Sequence, residues 1–189
     1  KRLPAGGGLG GGSSDAVAAL RAIDRLYRLR LAPSRLEALA ARIGSDCPFF
    51  VRGGTQIAAG RGERLRPIPN RLPPLWLVVV WPGFPSATAA AYSRVRPEHY
   101  VSDEAARETA RALAAGDLDA LLGSVKNIFS FLVSESDVRY KHLHDHIINE
   151  RLTGPWLAGS GSSMFALATD HEHGRRAAEN LSRLYPIAE

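Results

Sequence analysis

The sequence predicts an α+β fold. Several segments repeat apolar residues at helical spacing, and three short apolar or β-branched stretches are bounded by glycine and proline. These strands and helices alternate without long parallel βαβ regularity, and no internal repeat is present.

The elements follow in order. Residues 13–29 predict a helix because Val17, Leu20, Ile23, Leu26 and Tyr27 recur on one face, with Ser13 or Ser14 as N-cap. Pro33 opens a second helix at its first turn; Leu36, Leu39, Ala40 and Ile43 share a face, and Gly44 ends it. CPFFVRGG predicts a short element running into a turn at Gly53 and Gly54. TQIAAGRGERLRPI predicts two short strands joined near residues 60–62. Residues 70–74 are polar and proline-rich, which makes them a candidate boundary. LWLVVVWP holds the longest apolar stretch, residues 75–81, and predicts a buried strand followed by a break. Residues 87–92 begin a helix, 103–115 form another closed by Gly116, 117–122 form a helical turn, and 137–152 are helical. WLAGSGSSMFALAT predicts strand, glycine turn and strand, and 172–185 a final amphipathic helix.

With 189 residues the chain can hold one large or two small domains. No window approaches the about 18 consecutive apolar residues of a membrane span, so no membrane partner is expected. The charge is 24 basic minus 19 acidic residues, or +5, and the arginines are scattered. No basic stripe is interleaved with aromatics, so nucleic acid is not an expected partner. The single cysteine, Cys47, excludes an internal disulfide framework and suits a reducing, cytoplasmic setting. Cys47 has no neighbouring histidine or second cysteine, which predicts a buried structural thiol. In KHLHDHIINE, His142 and His146 have the i, i+4 spacing that zinc sites use. No third ligand stands nearby, so a surface helix is expected and no metal site is predicted.

The stretch PAGGGLGGGSSDAVAAL is the most informative. Six glycines occupy residues 6–12, broken only by Leu9, and a helix follows directly. Glycine removes Cβ and permits positive φ, so several backbone N–H groups can converge on one anion. A helix beginning there adds unpaired N–H donors and a partial positive charge. Together these form a phosphate site without a fixed charge. Ser13 and Ser14 can cap the helix and offer hydroxyls to phosphate or Mg²⁺. Gly6, Gly8 and Gly11 match G-x-G-x-x-G, but any glycine run would, and the preceding KRLPA makes a poor Rossmann strand. A Walker loop would end in G-K-[ST], which is absent. A flexible linker would not run straight into an amphipathic helix.

That stretch resembles the P-x-x-x-G-L-G-S/G-S-S motif of the GHMP kinases. Its GGGLGGGSSDA form, with the opening KRLP, is similar to the 4-diphosphocytidyl-2-C-methyl-D-erythritol kinase branch of that superfamily. Two further segments fall in the family's order. IGSDCPFFVRGG resembles G-A-D-V-P-F-F-L-x-G, and LAGSGSSMFAL resembles the glycine motif M-S-G-S-G-P-T-V-F. Between residues 125 and 152 the similarity is poor: the family's N-D-L-E meets KNIF here, and only Asn127 carries over.

The resemblance implies the two-domain GHMP kinase architecture. Residues 1–69 would form an incomplete, ribosomal-protein-S5-like ATP-binding domain, and residues 70–189 a ferredoxin-like C-terminal domain. In the family a further N-terminal segment precedes this point, with a P-A-K-x-N-L lysine and a substrate-binding histidine. The chain is therefore expected to be a fragment, poorly stable alone because a sheet edge and apolar surface would stay uncovered. ATP-binding positions would be Lys1, Pro4, Ala5, Gly6, Gly7, Gly8, Leu9, Gly10, Gly11, Gly12, Ser13 and Ser14, with Mg²⁺ offsetting phosphate charge.

Asp46 carries over as the catalytic aspartate. It stands between Gly44 and Pro48 and ahead of Phe49 and Phe50, where a partly desolvated carboxylate could accept a hydroxyl proton; a turn-capping role is the plainer alternative. In PGFPSATAAAY, Tyr92 would stack on cytosine and Thr88 make a polar contact, unless Tyr92 is simply a residue at the core edge. Gly159, Ser160 and Gly161 would form a second loop near the phosphates, or an ordinary hairpin turn. The implied reaction is ATP-dependent phosphorylation of the C2 hydroxyl of a small-molecule substrate, 4-diphosphocytidyl-2-C-methyl-D-erythritol. A GHMP kinase for another small alcohol and a non-catalytic nucleotide-binding module are the rival readings.

Overall fold

The computed structural model describes residues 3–100, 102–131, 133 and 138–189. The first 67 residues build three helices and a hairpin: α1 (Gly11–Leu26), α2 (Pro33–Ile43), α3 (Cys47–Arg52), β1 (Gln56–Ala59) and β2 (Arg64–Pro67). Val17 of α1, Leu36 and Ala40 of α2, and Cys47 and Val51 of α3 close into one small apolar core. Cys47 is buried there as a free thiol. The Arg21 guanidinium of α1 donates to the Val51 carbonyl, which fixes α1 across α3.

Helix α1 departs from its predicted start. It begins at Gly11, and its N-cap is Gly10 in left-handed backbone at φ 67°, with no side-chain cap bond. Ser13 and Ser14 lie inside the first turn, so neither caps. The cap position needs positive φ and close approach to the Phe50 ring, both of which favour glycine over serine. Ile43, placed on the inner face of α2 by its spacing, is 55% exposed instead.

The remaining elements are β3 (Trp76–Trp81), α4 (Thr88–Tyr92), a 3₁₀ turn (Pro97–His99), α5 (Asp103–Ala115), α6 (Leu118–Ser124), α7 (Val138–Asn149), β4 (Thr153–Leu157), β5 (Met164–Ala168), α8 (His171–Leu181) and β6 (Ile187–Ala188). Strands β3 to β6 form one antiparallel sheet in the order β4-β5-β3-β6. Its connectivity is β-α-β-β-α-β, with several helices in the first crossover. Val78, Val80, Met164 and Ala166 are buried with Leu143 and Ile147 of α7 and Ala177 and Leu181 of α8. Strand β3 is less buried than its continuous apolar run predicts: Leu77 is 51% exposed. It lies on the opposite face from Val78 and Val80, which the core covers. Strand β6 pairs two residues with β3 and is too short to leave a pattern in the sequence.

Capping follows simple chemistry. Gly116, at φ 75°, closes α5, and the Asp117 carboxylate accepts the Ala120 N–H to open α6. The Asp170 carboxylate accepts the His173 N–H at 2.8 Å to open α8. That N–H, and then the Thr169 hydroxyl, hold the Asp170 carboxyl below its ordinary range. Among the described residues no helix is long and apolar enough to cross a membrane.

Leu143→Ala, at a fully buried position, lowers unfolding free energy by about 2–5 kcal/mol in urea titrations. Leu26→Ala, at a position 75% exposed, changes it by less than about 0.5 kcal/mol. Asp170→Ala melts at a lower temperature at neutral pH. Because the folded carboxyl is shifted down, its contribution is complete above the ordinary carboxyl range and fades as pH falls through the lowered value. Circular-dichroism melts of the two proteins therefore converge in acid.

Candidate functional site

The glycine loop owes its shape to two close approaches. A Cβ on Gly8, at φ 76°, would stand 2.1 Å from the Ala158 carbonyl oxygen, and one on Gly10, at φ 67°, would stand 2.9 Å from the Phe50 ring. The chain then enters α1, whose first backward bond is Ser14 N–H to the Gly10 carbonyl at 2.9 Å. The N–H groups of Gly11, Gly12 and Ser13 come before that bond and have no earlier helical carbonyl to meet.

A second glycine loop, residues 158–163, packs back to back against the first. The Ser163 N–H donates to the Gly7 carbonyl at 3.1 Å, and the Ser86 N–H donates to the Gly6 carbonyl at 2.8 Å. The Ser86 hydroxyl donates to the Ser160 carbonyl at 2.7 Å, and the Thr88 and Ser160 hydroxyls meet at 3.1 Å. Segments far apart in sequence are thereby joined around one cleft.

That cleft has a volume of about 450 Å³ and is lined by residues 4–13, Asp46, Thr88, Tyr92, Phe129, Gly159 and Ser160. The structure thus brings together most of the residues singled out in the sequence. Ser14 and Gly161 are not part of this lining, and Lys1 lies outside the described residues.

Asp46 differs from expectation in two respects. It is exposed rather than partly desolvated, and it sits at the α3 N-cap without accepting a cap bond. Its backbone is already α-helical, at φ −86° and ψ −13°, rather than in the extended form usual for a capping residue. The β1–β2 turn comes close: a Cβ on Gly62 would lie 3.8 Å from Asp46 Oδ1.

Tyr92 is 58% exposed, with its ring edge-on to Phe129 at 4.9 Å. Phe129 was missed in the sequence because nothing local marks it; the only nearby signal was Asn127. The Asn127 amide donates to the Leu157 carbonyl at 2.9 Å and the Gly159 carbonyl at 2.8 Å, and its oxygen accepts the Phe129 N–H at 2.8 Å. His146 meets the Tyr185 hydroxyl at 2.7 Å. Among the described residues no three His, Cys, Asp or Glu side chains form a metal-binding group.

The cleft therefore offers helix N–H donors on one wall, a carboxylate nearby, and beyond it the exposed Tyr92 ring set against the buried Phe129. Comparison with known proteins agrees with this geometry. The family described as GHMP kinases N terminal domain matches residues 1–54, a span that includes the whole glycine loop and Asp46. A crystal structure of 4-(cytidine 5'-diphospho)-2C-methyl-D-erythritol kinase superposes with a TM-score of 0.78 at 38% identity, covering 100% of this chain and 67% of that one. The chain belongs to the GHMP kinases.

Similar sequences include the 4-diphosphocytidyl-2-C-methyl-D-erythritol kinase of Moorella thermoacetica, 36% identical over 189 residues, covering 98% of this chain and 66% of that protein. The protein of the same name from Alkaliphilus metalliredigens is 33% identical over 185 residues, covering 98% of this chain and 63% of that protein. The chain thus spans less than two thirds of the length of these relatives. A homoserine kinase from Cytophaga hutchinsonii has a TM-score of 0.70 at 18% identity, over 97% of this chain and 63% of that one, which shows a shared fold.

For this GHMP kinase family member, the loop contacts make a direct prediction. Gly8→Ala loses on the order of 1–3 kcal/mol from its left-handed backbone alone, and more from the clash with the Ala158 carbonyl. Gly12→Ala, where nothing lies within 4 Å of the added Cβ, does not destabilise the chain. Thermal melts of the two variants check both.

Proposed function

We propose that this chain carries the phosphoryl-transfer cleft of a 4-diphosphocytidyl-2-C-methyl-D-erythritol kinase, which moves the γ-phosphoryl group of ATP to the substrate's C2 hydroxyl in the non-mevalonate route to isoprenoid precursors. The observation that carries this reading is the cleft itself. A glycine-walled helix N-terminus, the Asp46 carboxylate and the Tyr92–Phe129 pair line one cavity. The acceptor's identity is inferred from the names of the relatives.

The residues present fit a polyphosphate. Side chains at Gly8 and Gly10 would run into Ala158 and Phe50, so the loop is bare backbone, and the N–H groups of Gly11, Gly12 and Ser13 supply donors. The Ser13 hydroxyl is an oxygen donor on the cleft wall, of the type that Mg²⁺ takes. When bound, Mg·ATP supplies the phosphoryl group and screens its charge.

The chain's own residues then have distinct roles. The glycine loop holds the phosphates by backbone, which positions the reacting group. Asp46 would orient the acceptor hydroxyl and take its proton as the new P–O bond forms and the bond from the γ-phosphorus to the β–γ bridging oxygen breaks, with ADP as the leaving group. Tyr92 stacks on the cytosine ring, with Phe129 edge-on behind it, and Thr88 gives a polar contact.

Two separate apolar cores, one among α1–α3 and one around the four-stranded sheet, support a boundary near residues 69–70 between a nucleotide-binding domain and a ferredoxin-like domain. The buried thiol Cys47 fits a cytoplasmic enzyme.

The test uses this chain together with any coding sequence upstream of it, Mg·ATP and 4-diphosphocytidyl-2-C-methyl-D-erythritol, followed by phosphorus NMR. A new phosphomonoester signal is expected. Asp46→Asn lowers kcat by about 10²–10⁴-fold while nucleotide affinity stays. Tyr92→Ala raises KM for the acceptor more than it lowers kcat. A folded protein that binds ATP but yields no phosphomonoester overturns the substrate assignment.

A further inference from the structure

Among the described residues the Asn127 side chain hydrogen-bonds to Leu157, Gly159 and Phe129, and so joins walls of the cleft other than α1. We propose that Asn127 is a positioning residue for the acceptor side of the cleft. It would act through Phe129 and Tyr92 on one arm and through Gly159, Ser160 and Thr88 on the other.

The contacts form a closed circuit. The Asn127 amide donates to the Gly159 carbonyl at 2.8 Å, and the next residue, Ser160, meets the Thr88 hydroxyl at 3.1 Å. Thr88 and Tyr92 are the two ends of α4, four residues apart and so on neighbouring faces of one helical turn. The Tyr92 ring meets Phe129 edge-on at 4.9 Å, and the Phe129 N–H returns to Asn127 Oδ1 at 2.8 Å. A second amide bond, to the Leu157 carbonyl at 2.9 Å, anchors the circuit to the end of β4.

The chemistry requires an amide. Two carbonyls demand two N–H donors while one N–H demands an acceptor, and asparagine supplies both from one short side chain. Aspartate keeps the acceptor but sets a carboxylate against two carbonyl oxygens. Leucine satisfies none of the three partners.

The bonds that hold the phosphate loop do not pass through Asn127 itself. Gly6 is held by the Ser86 N–H and Gly7 by the Ser163 N–H, both backbone bonds, and the circuit meets them only at the second glycine loop, where the Ser160 carbonyl accepts the Ser86 hydroxyl. Loss of Asn127 should therefore weaken the acceptor side more than the nucleotide side. A residue that merely stabilised the fold would weaken both.

This assignment rests on the acceptor reading above, and the experiment separates the two. Cytidine diphosphate and a non-hydrolysable ATP analogue are titrated calorimetrically into the wild-type protein and Asn127→Asp, with melting temperatures recorded alongside. At pH 7.5 the variant should bind cytidine diphosphate about tenfold or more weakly, with ATP-analogue affinity within about twofold of wild type. As pH falls through the range where the new carboxyl protonates, it regains one donor, and the ratio of variant to wild-type affinity recovers.

Equal losses for both ligands, or no loss for either, overturn the proposal. If the wild type binds the ATP analogue but not cytidine diphosphate, the acceptor reading fails. Hydrogen exchange then decides for Asn127: faster exchange across residues 159–160, where the Gly159 carbonyl loses its donor in the variant, supports the circuit, and unchanged exchange there sinks it. Should Asn127→Asp not fold, Ser160→Ala cuts the same circuit at the Thr88 hydroxyl without adding charge. It should give a smaller split in the same direction, and no split there counts against the proposal.

Discussion

The back-to-back contact of two glycine loops governs the rest of this molecule. Gly8 lies so close to the Ala158 carbonyl that no Cβ fits between them, and the Gly7 carbonyl accepts the Ser163 N–H. One loop leads into α1, and the other joins two strands of the sheet. Their contact brings the N-terminus of α1 to the same cleft as α4 and the segment around Phe129. A bulkier residue at Gly8 would push the loops apart and separate the anion-binding backbone from the aromatic wall.

Among the described residues no lysine or arginine lines the cleft; the positive character of its described wall comes from helix N–H groups that the α-helical pattern leaves unpaired. Such donors are fixed by the fold and need no reorganisation when charge arrives. The Asp46 carboxylate is the acidic group on the wall. In an exposed position it stays open to exchange with solvent and substrate, whereas a cap bond to α3 would have engaged it.

Helix cover explains the shape of the C-terminal half. The packed face of the sheet carries Val78, Val80, Met164 and Ala166, and β3 alternates accordingly, despite an apolar residue at every position. Small residues at that interface, Ala166 on β5 and Ala177 on α8, let helix and strand come together at full burial. The same packing fixes the ends of β4 and β5, and with them the second glycine loop.

Much of the fold was legible in the chain, because local rules act over a few residues. Pro33 and Gly44 bound α2, Gly116 closes α5, and the β1–β2 turn falls among its glycines. The glycine run ahead of an amphipathic helix was enough to single out a candidate anion site, since few other uses justify so much glycine. Positions set by contacts between distant residues were not legible. Gly10, rather than a serine, caps α1 because the Phe50 ring approaches it. Asp46 is exposed because its surroundings come from the β1–β2 turn as well as its own segment. Phe129 and Asn127 enter the site only through partners some 30 residues or more away. Local pattern determined which segments are helices, which are strands and which loop is the candidate anion site; the tertiary structure alone decided which side chains share the cleft, because hydrogen bonds and ring contacts depend on distance in space and leave no period in the sequence.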